Sequence, residues 1–289
     1  MQLKKFGIRP QAILDTGPPL SLRTSLLGLR ALITCPQAMF QGMRWLWGAG
    51  VKTNMTRGVD SLKAQGGDHL SSVSYEARGR RHELSTSLLL VHDGVIPNTW
   101  LSMSAGIKHH FNETQNCWVP EIQGAGLTSR DCISIVGDAA GIGGAEVAML
   151  QGERVAREVD AYLEDHQHPQ TSIESGVLRR QRWMRSFIDE AFPSTAQFQS
   201  PENDIVVCRC EEVTAGEIRQ VTERGCMGPN QGKAFTRCGM GPCMGRKCGL
   251  TVSRLMAQVR GVSVQEVGHY RIRSPIRPIT VGQLADMES

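Results

Sequence analysis

Four cysteines in two short motifs constrain the C-terminal third of this 289-residue chain more than any other feature. Cys208 and Cys210 lie in the run VVCRCEEVT, and Cys238 and Cys243 lie in TRCGMGPC. A Cys-x-Cys pair brings two sulfurs near one point, and a glycine-rich Cys-x4-Cys loop can fold back to present two more around it. Coordination by sulfur alone is typical of iron–sulfur clusters and of zinc. The pattern therefore predicts a metal centre.

The spacing of these cysteines favours a [2Fe-2S] cluster over a zinc ion. Zinc sites usually place about two to four residues between paired cysteines. Cys238 and Cys243 satisfy that rule, whereas Cys208 and Cys210, with a single residue between them, do not. A zinc site and a set of buried, unliganded thiols are the alternatives.

The residues around the two motifs suit an anionic cluster. Glycines allow tight turns that aim backbone N–H groups at the sulfurs, and nearby basic side chains would raise the reduction potential. The glycines are Gly239, Gly241 and Gly245, and the basic residues are Arg209, Lys233, Arg237 and Arg246.

The chain has five further cysteines, two of them close to these motifs. Cys248 is the runner-up ligand, but a helix over residues 244 to 259 would turn it away from the site and make it a core thiol. Cys226 lies in the turn ERGCMGPN. The remaining cysteines have apolar neighbours and are predicted to be core thiols: Cys35, Cys117 and Cys132.

Composition excludes several classes of protein. The 32 basic and 28 acidic residues are well mixed, so no basic stripe indicates nucleic-acid binding. Charged and polar residues and a proline interrupt the longest apolar stretch, residues 26 to 48, so no membrane span is predicted. Nine cysteines without a signal peptide predict a reducing compartment, which we take as the cytoplasm.

The first hundred residues have the pattern of a nucleotide-binding domain. A strand from Gln11 to Leu14 ends in Asp15, like the second strand of a nucleotide-binding βαβ unit, and residues 22 to 48 have helical spacing. Residues 51 to 97 predict β-hairpins that lead into an apolar core strand, SLLLVHDGVIP. His109 and His110 are predicted to lie in an exposed loop.

A second informative segment is ISIVGDAAGIGGAEVAMLQG. A strand, Ile133 to Val136, leads into a glycine-rich bend and a long helix. The carboxylate of Asp138 can accept hydrogen bonds from ribose or ribityl hydroxyls, and small residues let the helix N-terminus face a pyrophosphate or a flavin. These small residues are Gly143, Gly144 and Ala145. A plain turn is the alternative.

The helix of this segment has an apolar side. We expect that side to form a core face, made of Ala148, Leu150, Val155, Ala156 and Val159.

Over nearly its whole length, the chain resembles the α-subunits (also called A-subunits) of opine oxidases, hydrogen cyanide synthase, and proline and hydroxyproline dehydrogenases. The resemblance lies in LLLVHDGVIPNTWLS, ISIVGDAAGIGGAEVAMLQG, and VVCRCEEVTAGEI followed by GPNQGKAFTRCGMGPCMGRKCG. The last resembles the [2Fe-2S] domain of bacterioferritin-associated ferredoxin (BFD).

The resemblance implies a fold and a set of site residues. The fold is α/β: a partial disulfide-reductase-like fold with two dinucleotide-binding units, followed by a small, mostly α-helical BFD-like [2Fe-2S] domain. The implied cluster ligands are Cys208, Cys210, Cys238 and Cys243. The implied FAD contacts are Gly137, Asp138, Gly143, Gly144 and Ala145.

One departure from the family is large, because the glycine-rich loops of both dinucleotide-binding units are missing. The chain therefore resembles an N-terminally truncated member, or one whose missing half another chain supplies. The predicted organisation is a nucleotide-binding remnant with a β-hairpin insert (1–115), an FAD-binding segment (116–160), a helical linker (161–203), the BFD-like domain (204–270) and an extended tail (271–289).

The function that the resemblance implies is electron transfer within a heteromeric flavoprotein dehydrogenase or oxidase. An FAD-containing β-subunit of the amino-acid oxidase type would oxidise an amino or imino acid, at a CH–NH or CH–NH2 bond. This chain would pass electrons through its cluster and FAD, and no catalytic residue is predicted in it. The alternatives are a non-enzymatic ferredoxin-like module, a zinc-stabilised binding module and an inactive truncated remnant.

Overall fold

The chain divides into two compact units. The computed structural model describes residues 6–19, 21–52, 54–124, 126–165 and 176–287. The first unit comprises Met1–Gly94 and Ile173–Thr195, and the second comprises Val95–Ser172 and Ala196–Ser289. Both units contain helices and strands, so the predicted mixed α/β class is confirmed.

The secondary structure elements are short. The strands are β1 (Ala12–Asp15), β2 (Asn54–Arg57), β3 (Val59–Gly66), β4 (Leu70–Ala77), β5 (Arg80–Ser85), β6 (His109–Asn112), β7 (Cys117–Pro120), β8 (Ile122–Gln123), β9 (Leu127–Thr128), β10 (Val206–Cys208) and β11 (Val213–Thr214). The helices are α1 (Leu22–Thr34), α2 (Pro36–Lys52), α3 (Trp100–Ser104), α4 (Ala145–Asp165), α5 (Gly176–Ala191), α6 (Ala196–Gln199), α7 (Ala215–Glu223), α8 (Pro229–Thr236), α9 (Gly249–Arg260), α10 (Val264–Val267) and α11 (Val281–Ala285).

Two parallel strands begin the first unit. β1 pairs with β2, and α1 and α2 form the connection between them, because parallel strands need a long crossover. Ser21 begins α1 by accepting a hydrogen bond from the N–H of Thr24. The strand that ends in Asp15 and the helical region after it are confirmed.

An antiparallel sheet of β3, β4 and β5 follows in the same unit. Arg78 and Gly79 form the turn between β4 and β5 with positive φ angles of 53° and 71°. This left-handed conformation matches the turn to the twist of the two strands. The predicted hairpins are therefore present as far as Ser85.

The sequence predicts strands in two apolar segments where the structure has none. SLLLVHDGVIP contains no helix or strand, and the side chains of Leu88 and Val91 are 70% and 73% exposed. Of Ile133–Val136, only Ser134 forms a β-bridge, with Leu127. A strand needs neighbours that satisfy its backbone hydrogen bonds. Both predictions are wrong: among the described residues no strand pairs with SLLLVHDGVIP, and Ile133–Val136 has only this single bridge to β9, which does not make a strand.

Helix α4 does not form the predicted core face. Wherever the burial of an α4 residue is described, that residue is not buried, and Val159 is 44% exposed. An amphipathic helix is stabilised mainly by the packing of its apolar face. The prediction is wrong because the layer that would cover this face is not among the described residues.

The core of the second unit lies around α7 and α9. Ile218 of α7 is fully buried, as are Leu255 and Met256 of α9. Phe111 and Trp118, on the paired strands β6 and β7, join this core with their rings edge to face, 5.4 Å apart. Burial of a side chain of this size contributes about 1.5–3 kcal/mol. This core supports the loops that carry the cysteines.

Capping boxes begin two helices of the second unit. Thr214 and Glu217 form one at α7, where each side chain bonds the backbone N–H of the other residue. Thr280 and Gln283 form the other at α11. The tail predicted to be extended therefore contains a short helix.

His109 is buried rather than exposed, because it lies within β6 and not in a loop. Its Nδ1 is 2.8 Å from the carbonyl oxygen of Ile107, and its Nε2 is 2.9 Å from Oγ of Ser102. Burial lowers the pKa of His109 below its ordinary value of 6.5. His110, the next residue of the strand, is exposed as predicted.

Within the described ranges, no helix combines the length and the apolar character that a bilayer crossing requires.

Candidate metal centre

Secondary structure fixes each loop that carries a cysteine of the site. Cys208 is the last residue of β10, and Cys210 lies in the turn that leads to β11. Cys238 follows α8, which ends at the C-cap residue Arg237 in a left-handed conformation with φ 58°. Cys243 lies in the turns that follow, and Cys248 is the N-cap of α9.

The five sulfurs of this region form two groups, a buried trio (Cys208, Cys238 and Cys248) and an outer pair (Cys210 and Cys243). The Sγ atoms of the trio all lie within 4.8 Å of one another, and those of Cys238 and Cys248 are 3.9 Å apart. The Sγ atoms of the outer pair are 3.7 Å apart. Tetrahedral metal–sulfur bonds of about 2.3 Å place two thiolates about 3.8 Å apart. Both groups therefore suit a shared metal ion.

The site extends from the core of the second unit to its surface. Each cysteine of the buried trio is 1% exposed. Cys243 is half-buried and Cys210 is exposed. All four predicted ligands belong to these two groups, and their role as ligands stays a prediction.

Cys248 points toward the site, so the expectation that a helix over residues 244 to 259 would turn it away is wrong. Met244 and Gly245 have left-handed φ angles of 54° and 85°, which an α-helix does not accommodate. The helix therefore begins only at Gly249. Cys248 lies before its first turn, with its sulfur beside that of Cys238.

Glycines allow the loops to approach each other closely. A Cβ atom on Gly241 would lie 2.2 Å from Cβ of Cys210. A Cβ atom on Gly239 or Gly245 would lie 2.6 Å from the ring of Tyr270, and both glycines have positive φ. Only glycine fits at these positions.

Tyr270 supports the site from below the glycine turns and was not found by sequence reasoning. Its side chain is 2% exposed, and its hydroxyl donates a hydrogen bond to the carbonyl oxygen of Cys238 at 3.0 Å. Nζ of Lys233 lies 4.6 Å from the centre of its ring. A single tyrosine far along the chain carries no spacing signal that marks it.

The surroundings of two cysteines favour the thiolate form. The hydrogen bond between the Cys238 and Cys248 sulfurs lowers the pKa of Cys238 to about 7 and raises the pKa of Cys248. Burial acts to raise the pKa of Cys243, but backbone N–H groups of Lys247 and Gly245 outweigh it and lower that pKa. Metal binding requires thiolates. Each group thus contains one cysteine predisposed to bind.

Two of the predicted basic residues have other partners. Nε of Arg237 lies 2.9 Å from a carboxylate oxygen of Glu211. Arg246 donates a hydrogen bond to the carbonyl oxygen of Ile276. Lys233 lies over the ring of Tyr270, whose hydroxyl donates to the carbonyl oxygen of Cys238.

The remaining cysteines lie outside the two groups. Cys226 is buried, and its Sγ donates to the carbonyl oxygen of Gly228 at 3.5 Å. Cys117 is buried as predicted, and Cys35 is half-buried. Cys132 is exposed, so its prediction as a core thiol is wrong. It occupies a left-handed turn position with φ 61°.

The predicted flavin residues form a closed local turn. Oδ1 of Asp138 accepts hydrogen bonds from the N–H groups of Gly143 at 3.0 Å and Gly144 at 2.9 Å. Gly137 donates to a side chain of α4, which begins at Ala145. The carboxylate therefore shapes the bend and satisfies two N–H groups at the helix N-terminus. The role of these residues in FAD binding stays a prediction.

The mixed α/β fold of this chain has a counterpart among solved structures. The structure is similar to the crystal structure of L-proline dehydrogenase from P. horikoshii, with a TM-score of 0.60 and 18% identity. The match covers 95% of this chain and 50% of that one. It concerns the fold alone.

Sequence comparison then gives a domain match and several relatives. Residues 204–287 match the sarcosine oxidase A3 domain. The A subunit of opine oxidase from Rhizobium meliloti (strain 1021) is 36% identical over 97% of this chain and 62% of that protein, and its counterpart from Agrobacterium tumefaciens (strain Ach5) is 34% identical over 99% and 58%. The HcnB subunit of hydrogen cyanide synthase from Pseudomonas protegens is 28% identical over 96% and 67%.

The chain is similar to these subunits over nearly its whole length, as its motifs predict. It spans about three fifths of the length of the curated relatives it matches.

Proposed function

We propose that this chain is the electron-transfer subunit of a heteromeric flavoprotein oxidoreductase that acts on an amino or imino acid. The observation that carries the proposal is the sulfur geometry, in which a buried and an outer group of thiols each have the spacing of ligands to one metal ion. The names of the relatives, the A subunit of opine oxidase and the HcnB subunit of hydrogen cyanide synthase, support an oxidoreductase with further subunits.

Cys208, Cys210, Cys238 and Cys243 would hold a [2Fe-2S] cluster, with two thiolates on each iron. Such a cluster supplies one-electron oxidation and reduction. Cys208 and Cys238 exclude water from the inner side of the site, because both are almost fully buried. Cys210 is exposed and places the outer edge of the site at the surface, where a redox partner can approach.

The remaining parts of the enzyme follow from the same proposal. Asp138 and its glycine-rich bend would contact FAD, with Asp138 as the acceptor for a ribityl or ribose hydroxyl. The substrate chemistry belongs to a partner β-subunit with its own FAD, so this chain needs no acid–base residues. All nine cysteines lie among the described residues and no disulfide joins any of them, which supports a reducing compartment such as the cytoplasm.

The test is metal analysis of the chain purified without oxygen. We expect equal amounts of iron and acid-labile sulfide and a visible absorption band. Cys243→Ala removes one ligand of the outer pair and should abolish all three signals. Cys132→Ala, at an exposed cysteine outside both groups, is the matched control and should retain them.

A colourless protein with stoichiometric zinc would contradict the electron-transfer role. It would favour the zinc-stabilised binding module, because the same sulfur spacing also suits tetrahedral zinc. A colourless protein without metal would favour the alternative of an inactive truncated remnant.

A further inference from the structure

We propose that Cys248 is a reserve ligand of the cluster and can take the coordination position of Cys208 beside Cys238. This inference rests on the proposed function. It assigns a role to a fifth thiol where a [2Fe-2S] cluster needs four.

The sulfur geometry offers two candidate ligands, Cys208 and Cys248, for one coordination position of the cluster. The outer pair, Cys210 and Cys243, accounts for both protein ligands of one iron. The other iron needs two thiolates, and the buried trio offers three. Cys238 belongs to this position on either choice, because its Sγ lies within 4.8 Å of both Cys208 and Cys248.

Cys248 has the sulfur spacing that this position requires. Its Sγ is 3.9 Å from that of Cys238, close to the distance of about 3.8 Å expected for two thiolates on one tetrahedral ion. It also occupies the N-cap position of the 12-residue helix α9, where its side chain makes no capping hydrogen bond and its sulfur lies beside that of Cys238.

The two candidates share the same burial. Cys208 and Cys248 are each 1% exposed, so solvent access does not decide between them. When one is bound, the other remains a protonated thiol in the same pocket. On exchange, Cys248 loses its proton and binds iron, while the released Cys208 thiolate takes up a proton. No electron moves, and the oxidation state of the iron is unchanged.

Cys226 shows that burial of a cysteine in this domain is not enough. It is 2% exposed, but its Sγ donates to the carbonyl oxygen of Gly228 and is not part of the trio. It is therefore the matched control for Cys248.

The experiment compares iron, sulfide and the electron paramagnetic resonance spectrum of the reduced protein in four variants. Cys208→Ala is used because alanine cannot ligate iron, and we expect it to retain most of its iron with a shifted spectrum. Cys248→Ala should retain its iron through Cys208. Cys208→Ala with Cys248→Ala should lose the cluster, whereas Cys208→Ala with Cys226→Ala should keep it.

Loss of the cluster in folded Cys208→Ala, or its full retention in the double variant with Cys248→Ala, would overturn the inference. If Cys208→Ala does not fold, Cys208→Val, which is close to cysteine in size and cannot ligate iron, is compared with and without Cys248→Ala. The inference requires that removal of Cys248 eliminates the cluster from the valine variant, and an unchanged spectrum would refute it. Wild-type protein without iron would refute the proposed function instead, which separates the two failures.

Discussion

At the scale of single residues, the sequence identified the cysteines of the site but not how they are grouped. The spacing of Cys208, Cys210, Cys238 and Cys243 was enough to predict a thiol-rich site. The part played by Cys248 depends on where α9 begins, which the left-handed turn at Met244 decides. Such a φ angle at a residue other than glycine is uncommon, so residue type did not predict it.

Gly241→Ala tests the close approach of the two cysteine loops. The new Cβ would lie 2.2 Å from Cβ of Cys210, so one loop must move and the outer pair must separate. We expect iron content to fall several-fold, with the helical circular dichroism unchanged. Gly152→Ala, where a Cβ would meet nothing within 4 Å, is the control and should leave iron content as in wild type. Normal iron content in Gly241→Ala would contradict this geometry.

His109 should make the stability of the second unit depend on pH. Its pKa in the folded protein is lowered, chiefly by burial, so below 6.5 the unfolded chain binds more protons than the folded one. The free energy of unfolding should therefore fall as the pH drops through 6.5 toward the folded pKa, and be level with respect to this group above 6.5.

Chemical denaturation at a series of pH values measures this effect. His109→Gln should show a shallower fall below pH 6.5 than wild type. The exposed neighbour His110 provides the control, and His110→Gln should keep the wild-type slope. Equal slopes in all three proteins would show that His109 is not buried in its neutral form.

At the scale of elements, helices and hairpins were predictable where their partners lie nearby in sequence. α1 has its cap at Ser21, and β4 and β5 share a tight turn at Arg78 and Gly79. The apolar segment that contains Leu88 and Val91 also has strand character, but a strand forms only when a sheet accepts it. Sequence alone does not show which partner strands are present.

Val91→Ser tests whether that apolar segment is uncovered. Val91 is 73% exposed, so we expect the free energy of unfolding to change by less than about 0.5 kcal/mol. Val73 is a valine of the same unit that is 1% exposed, and Val73→Ser should cost about 2 kcal/mol or more. A cost at Val91 as large as that at Val73 would mean that a further layer covers the segment.

At the scale of the whole molecule, the mixed α/β class and the similarity to these subunits were predictable, because three motifs between residues 88 and 249 carry the resemblance. The exposure of α4 was not predictable. Its predicted core face needs a layer of residues to pack against it, and the described residues do not provide one. The division into two units has a further consequence. The thiol site lies wholly in the second unit, which has its own core.

Removal of iron should therefore destabilise one unit only. A ligand that binds the folded state stabilises the unit that holds it. We expect a chelator to speed hydrogen exchange in peptides of α7 and α9 and to leave β3, β4 and β5 unchanged, as measured by mass spectrometry. Equal changes in both units would show that the metal is not confined to the second.

The most direct test of the central claim is a redox titration of the purified chain with a one-electron reductant, followed by electron paramagnetic resonance. A [2Fe-2S] cluster should take up a single electron for every two irons and give a paramagnetic signal that Cys243→Ala lacks. A protein that binds zinc, or that takes up no electrons at all, would contradict the electron-transfer function.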